Sequence, residues 1–326
     1  MNIVVTGVTG FLGAHLATAL IGEGHTVVGT GRNRERAGLM EKRGARVLLG
    51  DIANGELVFQ AIAGADAVIH VAALSAPWGK RKAFFSTNVT GTRNVVDACM
   101  HSGVRRLIHV SSPSVAFAGQ DVLRQTEDAP YPRKYLSHYS QSKKMGEDIV
   151  HESIPAGLLA TIIRPKAMFG PGDTALLPRL VAAAKASRLV QIGDGSNLVD
   201  LTYVANVVQS ILLLLKTDRS IGKTYTVTND EPVALWPVVR FALRETMGIA
   251  SLRQVPYRTA FLYAAALEAR AAITHREPPL TRYTVAILGR TQTYDISALK
   301  KDTGYTPKVS LKEGLVETIA ALKSGN

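Results

Sequence analysis

A single cysteine, Cys99, stands in a chain of 326 residues, which excludes an internal disulfide framework and a cysteine-built zinc site. Aromatic residues make up only 6%, too few for the basic stripe interleaved with aromatics that marks nucleic-acid binding, so no nucleic-acid partner is expected. No run of about 18 apolar residues occurs. Tyr257–Thr274 is broken by Arg258, Glu268 and Arg270, and Ile211–Leu215 is too short to cross a bilayer. The eight histidines are scattered, without HExxH or paired ligand spacing, so no metal site is expected. A GxSxG nucleophile elbow and a P-loop are also missing. The opening MNIVVTG lacks the charged n-region and cleavage site of a signal peptide. A soluble, cytoplasmic protein is expected.

What the chain does have is charge of one sign. Lys and Arg number 38 against 26 Asp and Glu, a formal balance of +12. The cations are spread along the chain, as in Lys80–Arg81–Lys82, Arg105–Arg106 and Lys300–Lys301, so most of them read as solubilising surface charge. Attraction to phosphate-bearing small molecules or anionic lipid fits as well. Hydrophobic residues at 46% are ordinary for a globular protein.

The first half alternates short β-rich runs with helical segments. Strands are expected at Asn2–Thr6, Thr26–Thr30, Arg46–Leu49, Ala67–Val71, Arg106–Ser111 and Leu159–Arg164, and helices at Phe11–Ile21, Asn88–His101 and Tyr139–Ser153. Strands separated by helices of this length imply a parallel sheet with right-handed crossovers. The fold class is therefore α/β, a doubly wound parallel sheet of Rossmann type. Beyond Arg164 the pattern loosens around Gly170-Pro171-Gly172 and Gly193-Asp194-Gly195. A dinucleotide-binding domain over 1–165 is expected. Residues 166–326 would form a smaller substrate-binding region, partly interleaved with the sheet.

Strand Asn2–Thr6 runs into Thr6-Gly7-Val8-Thr9-Gly10-Phe11-Leu12-Gly13, a GxxGxxG spacing that opens a helix. Gly7 would permit the tight turn, Gly10 the close approach of backbone to a pyrophosphate, and Gly13 the packing of helix on strand. The helix N-terminus then presents N–H groups and a positive dipole to the anion. Where NAD-binding folds place an acid after the second strand, this chain has Gly31-Arg32. A guanidinium suits a 2′-phosphate, so NADP(H) is expected, with Arg32 as clamp and Arg36 as helper; the nearby Glu35 keeps NAD open. Asp51, with Ile52, follows the third strand and would bond adenine or cap a turn. Ala72 and Ala73 follow the fourth, where small residues let a cofactor pass close to the backbone.

Tyr139-Ser140-Gln141-Ser142-Lys143 puts phenol and ammonium at i and i+4, on one helix face. A lysine there, supported by oxidised nicotinamide, can lower the phenol's pKa from about 10 towards neutrality. Tyr139 would then exchange a proton with a substrate oxygen. The strand ending His109-Val110-Ser111-Ser112-Pro113-Ser114 supplies a hydroxyl to orient that oxygen. Ser112 is preferred, Ser111 is the alternative and Ser114 a distant third. Turn chemistry is the competing role for any of them.

Taken together, the glycine-rich turn, Ser112, Tyr139, Lys143 and Arg164-Pro165 resemble the extended short-chain dehydrogenase/reductase family. Asn88-Val89-Thr90-Gly91-Thr92, Gly170-Pro171-Gly172-Asp173 and Asp200-Leu201-Thr202-Tyr203-Val204 resemble its 3β-hydroxysteroid dehydrogenase branch. Ser111-Ser112-Pro113-Ser114-Val115 and His138-Tyr139 look nearest to bacterial 2-alkyl-3-oxoalkanoate reductases. The resemblance covers nearly the whole chain. It implies that Pro165–Met168 lie beside the nicotinamide, and that Tyr203 and Asn206 belong to the region closing the site. Lys166 departs from those reductases.

The implied function is an NADP(H)-dependent oxidoreductase interconverting a secondary alcohol and a ketone on a lipophilic substrate, preferably a 2-alkyl-3-oxoalkanoate. A 3β-hydroxysteroid is the alternative. Gly31-Arg32 disfavours a nucleotide-sugar epimerase or dehydratase, and the Ser112/Tyr139/Lys143 set disfavours a non-catalytic NADP(H) sensor. A homodimer is expected. The apolar Phe261–Leu267 segment reads first as core packing, and second as a lipophilic wall or a peripheral membrane patch.

Overall fold

Short β-branched runs buried on both faces pair in parallel when helices carry the chain back over them. In the computed structural model, which describes residues 1–274 and 276–324, seven such strands form one all-parallel sheet. The first half supplies β1 (Asn2–Thr6), α1 (Phe11–Gly22), β2 (Thr26–Gly31), α2 (Arg34–Lys42), β3 (Arg46–Leu49), α3 (Gly55–Ile62) and β4 (Ala67–His70). It continues with α4 (Arg81–Phe85), α5 (Gly91–His101), β5 (Arg106–Val110), β6 (Val122–Gln125), α6 (His138–Ser153) and β7 (Ala160–Pro165).

The second half contains β8 (Met168–Phe169), α7 (Leu177–Lys185), β9 (Gln191–Ile192), β10 (Leu198–Val199), β11 (Thr202–Tyr203), α8 (Val204–Leu215) and β12 (Thr224–Val227). Then follow β13 (Val233–Ala234), α9 (Leu235–Met247), β14 (Gln254–Val255), α10 (Tyr257–Thr274), α11 (Arg282–Gly289), β15 (Gln292–Tyr294), α12 (Ser297–Thr303) and α13 (Leu311–Ser324).

The order of the main sheet is β12-β7-β5-β4-β1-β2-β3. Because every strand points the same way, the residues following β1, β2, β3, β4, β5 and β7 gather along one edge, the usual place for a ligand in such a sheet. Two apolar layers cover the faces. Leu12, Leu16 and Leu20 of α1 pack with Val204, Val207 and Ile211 of α8 on one side. Val58 and Ile62 of α3, Val95 and Cys99 of α5, and Ile149 of α6 pack on the other. β12 and α8 belong to the second half, so that half is woven into the first. A third cluster, around Phe169, Trp236, Val239 and Ala264, lies wholly beyond β7.

The structure corrects the reading of Asn88–His101 as one helix. Helical chain starts earlier, at Arg81, and passes through a single wide π-turn at Ser86–Thr90 before α5. Such turns break the ordinary i→i−4 ladder and often sit beside functional groups. The helices α2, α11 and α12, and the pairing of β15 with β6, have no counterpart in the sequence pattern.

Candidate active site

The glycines fall where backbone meets backbone. Gly7 holds φ +73°, and a Cβ there would lie 2.8 Å from the Ala72 Cα. At Gly13 a Cβ would come within 2.2 Å of the Gly7 carbonyl oxygen, so α1 rests directly on the turn. Gly10 is the N-cap of α1 and has no side chain to occupy the helix end. Thr6 fastens the neighbouring strand exit: its hydroxyl accepts from the Val71 and Ala72 N–H groups, each at 3.1 Å. That places Ala72 and Ala73 beside the turn. Phe11 is half-buried under the Gly170 loop, while Leu12 and Ile52 send their side chains into the core and offer a ligand only backbone. Open helix end, close-packed glycines and small strand exits fit a dinucleotide pyrophosphate.

Arg32 and Arg36 flank that cradle. The Arg32 guanidinium meets the Asp51 carboxylate at 3.2 Å, and Arg36 donates to the Thr9 carbonyl at 3.4 Å. Asp51 also accepts from the Ala53 N–H at 3.0 Å, the turn-capping alternative. Gly31 has no room for the missing acid, since a Cβ would sit 2.4 Å from the Thr9 hydroxyl.

Tyr139 lies in the first turn of α6, which Ser137 caps by accepting from the Ser140 N–H. The hydroxyls of Ser112 and Ser75 face its phenol. Ser112 also accepts from the Ser114 N–H at 3.2 Å, so turn-capping and a catalytic position coincide in one side chain. Ser111 and Ser114 are both buried, and neither hydroxyl has a hydrogen-bond partner among the described residues. Among the three serines, only Ser112 faces Tyr139.

The protein groups alone do not lower the phenol's pKa. Burial pushes the Tyr139 phenol above its ordinary pKa, partly offset by Ser112 and Ser75. Lys143, one turn on, donates instead to the Val110 carbonyl at 2.7 Å. Burial holds the Lys143 ammonium down at about 8, opposed by Glu147. That bond anchors the ammonium at the end of β5.

Several participants escape the sequence pattern. Asn88, in the wide turn, accepts from the Leu74 N–H at 2.7 Å, and donates to the Leu74 carbonyl and the Ser142 hydroxyl. It therefore pins the loop carrying Ser75 to α6. Tyr283 of α11 turns its hydroxyl towards Ser114 and Ser140, on the Tyr139 side of the site. Glu147, a further turn beyond Lys143, is gripped by Arg164; the i, i+4, i+8 spacing was the available signal. Lys166 is buried, donates to Gln292 at 2.6 Å, and sits 5.5 Å from the Tyr294 ring centre. Burial lowers it to about 8 and raises nearby Asp200 to about 6. Pro165 is buried and Met168 half-buried at the exit of β7.

Tyr203 and Asn206 do not close the site. The Asn206 amide accepts from the Lys308 and Val309 N–H groups and donates to Asn229 and Val309. Tyr203 donates to Glu317. Both are spent on fastening the C-terminal segment.

The sequence profile of the 3-beta hydroxysteroid dehydrogenase/isomerase family matches residues 4–256. The 2-alkyl-3-oxoalkanoate reductase of Shewanella oneidensis is 34% identical, over 98% of this chain and 85% of that protein. The protein of that name from Stenotrophomonas maltophilia is 33% identical over 97% of both chains. An Arabidopsis thaliana 3beta-hydroxysteroid-dehydrogenase/decarboxylase is 35% identical over 94% of this chain and 72% of that one. Among solved structures, the UDP-glucuronic acid 4-epimerase of Bacillus cereus in complex with NAD superposes with a TM-score of 0.78 at 24% identity, over 99% of both chains. Fold, glycine turn, tyrosine–lysine helix and this similarity agree: the chain belongs to the 3-beta hydroxysteroid dehydrogenase/isomerase family and is an oxidoreductase of the extended short-chain dehydrogenase/reductase type.

Proposed function

We propose that the protein interconverts a secondary alcohol and a ketone on a lipophilic substrate, using NADP(H), with a 2-alkyl-3-oxoalkanoate as the preferred substrate. The observation that carries this reading is the phenol of Tyr139 facing the Ser112 hydroxyl, with Lys143 one turn away, at the ligand-binding edge of the sheet. When bound, the nicotinamide supplies or accepts hydride at the carbon.

Gly7, Thr9, Gly10, Phe11, Leu12 and Gly13 would hold the pyrophosphate, with Ala72, Ala73, Pro165 and Met168 lining the path to the nicotinamide. Arg32, aided by Arg36, would take a 2′-phosphate; a carboxylate at that position would repel it. In the reducing direction Tyr139 donates its proton to the substrate oxygen, which Ser112 orients. A phenol kept protonated by burial suits that role. Lys143 would hold ribose hydroxyls and compensate the phenolate left behind. The substrate choice rests on similarity to the two named reductases. The second reading, a 3β-hydroxysteroid, rests on the Arabidopsis relative.

The test follows reduced nicotinamide by its absorbance while purified protein oxidises a long-chain 2-alkyl-3-hydroxy acid with NADP⁺. A 3β-hydroxysteroid, NAD⁺ and the Tyr139→Phe variant run in parallel. Turnover of the acid alone, lost in the variant, supports the reading. Turnover only of the steroid moves the protein to the second reading, and silence with both substrates and both cofactors rejects both.

A further inference from the structure

We propose that the outer face of α10 is an interfacial surface that rests on anionic lipid membranes. Isolated exposed apolar side chains are normal on any protein; clustered ones are not. Among the described residues, the four most exposed large apolar side chains are Ile273 at 81%, Leu262 and Leu123 at 70%, and Tyr263 at 61%. Three of these four belong to α10.

They are arranged by the helix. Leu262, Ala266, Ala269 and Ile273 recur at i, i+4, i+7 and i+11 and are all exposed, which makes one stripe along the outer face. Tyr263 lies beside it. The inner face buries only Ala260, Ala264, Glu268 and Ala271. Glu268, the helix's one acid, is turned inward, where its two oxygens accept from the Arg282 backbone N–H at 2.7 Å and the Arg282 Nε at 2.6 Å. Arg258 and Arg270 remain exposed, and Arg276 follows the helix, next to Glu277.

An apolar stripe flanked by arginines, with no acid on the exposed face of the helix, is the pattern of a helix lying in the headgroup region. A second copy of the chain fits less well. Self-pairing would set Arg258 and Arg270 against the same cations, with no acid on the helix face to meet them. Among the described residues no helix is long and apolar enough to cross a membrane, so the contact is peripheral. α10 packs on α11 through Glu268 and Arg282, and α11 carries Tyr283 to Tyr139. The lipid-facing helix therefore adjoins the substrate side of the site.

The experiment is co-sedimentation of the full chain with phosphatidylcholine vesicles, with and without phosphatidylglycerol, at low and high salt. Wild type is expected to pellet with phosphatidylglycerol vesicles at low salt, and to remain in solution with phosphatidylcholine alone. Two variants, Leu262→Gln with Ile273→Gln, and Arg258→Gln with Arg270→Gln, should each partition about tenfold less or weaker still. Their melting temperatures and nicotinamide turnover should match wild type. Wild type that stays in solution overturns the proposal, as does vesicle binding unchanged by both variants. So does an apolar-stripe variant that turns an oligomer into a monomer while still binding vesicles, because the face would then be a contact between copies.

Discussion

Arg164 at the end of β7 grips Glu147 of α6 through two parallel bonds, Nε to Oε1 at 2.8 Å and Nη2 to Oε2 at 2.7 Å. Both side chains are buried, and the Tyr131 hydroxyl joins them, accepting from Arg164 and donating to Glu147. This clasp ties the helix bearing Tyr139 and Lys143 to the strand that leads into Pro165. Arg164→Met would leave a buried carboxylate without its partner, a change that costs about 3–5 kcal/mol. We expect a clear drop in melting temperature for Arg164→Met and partial rescue when Glu147→Gln is added. Two single-variant losses that simply add in the double variant would show that the residues do not act as a pair.

Acid should weaken the fold through two histidines behind the site. His70 is buried between the Thr6 hydroxyl, 2.7 Å from Nδ1, and the Thr92 hydroxyl, 3.0 Å from Nε2. The Thr6 oxygen already accepts two backbone N–H groups, so its proton goes to Nδ1, and Nε2 carries the ring proton. The His109 ring lies tilted against that of His70, with ring centres 5.1 Å apart, and neither of its ring nitrogens has a partner among the described residues. Burial, with Lys143 nearby, drives His70 down to about 3 and His109 well below its ordinary value. Below about pH 6.5 the unfolded chain binds protons that the folded chain refuses, so stability falls with pH from there towards about 3. His109→Leu should flatten the dependence of melting temperature on pH across this window. A slope as steep as wild type would remove His109 from the account.

Local features were legible in the sequence. The glycine turn is one contiguous segment, and Tyr139 and Lys143 need only helical periodicity to share a face. Ser112 was readable because β5 ends at the same edge as the glycine turn. Tyr283 was not, because nothing in the sequence pattern announces that α11, folded back on α10, sits beside the site. Asn88 was noticed as part of a motif, yet its grip on Leu74 depends on a π-turn that no periodicity announces. Asp51 was read as a partner for adenine or a turn cap; it does cap the turn at Ala53, while its approach to Arg32 depends on the register of β2 against β3, with Gly31 opposite Leu49. Lys166 stood out as a departure from the reductases, but its buried position beside Gln292 required the pairing of β15 with β6.

Arg32 should decide between the two nicotinamide cofactors. Its pairing with Asp51 is exposed and contributes little to stability, so Arg32→Gln should melt like wild type. We expect the KM for NADPH to rise roughly tenfold, the loss of one charge-assisted contact, while the KM for NADH stays the same. Equal changes with both cofactors, or none, would show that Arg32 does not read the 2′-phosphate.

Tyr139 and Tyr283 lie on the same side of the site, and their variants should separate chemistry from positioning. Loss of the proton donor in Tyr139→Phe should lower kcat by about 10²–10⁴ with little change in KM. Tyr283 lies beside Tyr139, Ser114 and Ser140, and burial followed by the Tyr139 phenol holds its own proton in place across the physiological range. It can therefore donate a hydrogen bond to a substrate oxygen without exchanging a proton. Tyr283→Phe should raise KM several-fold, the equivalent of about 1 kcal/mol for one such bond, with kcat and its pH profile close to wild type. Steady-state kinetics of the two variants over a range of pH makes the comparison. If Tyr283→Phe instead lowered kcat as far as Tyr139→Phe does, Tyr283 would share the proton transfer, and the separation of roles would fail.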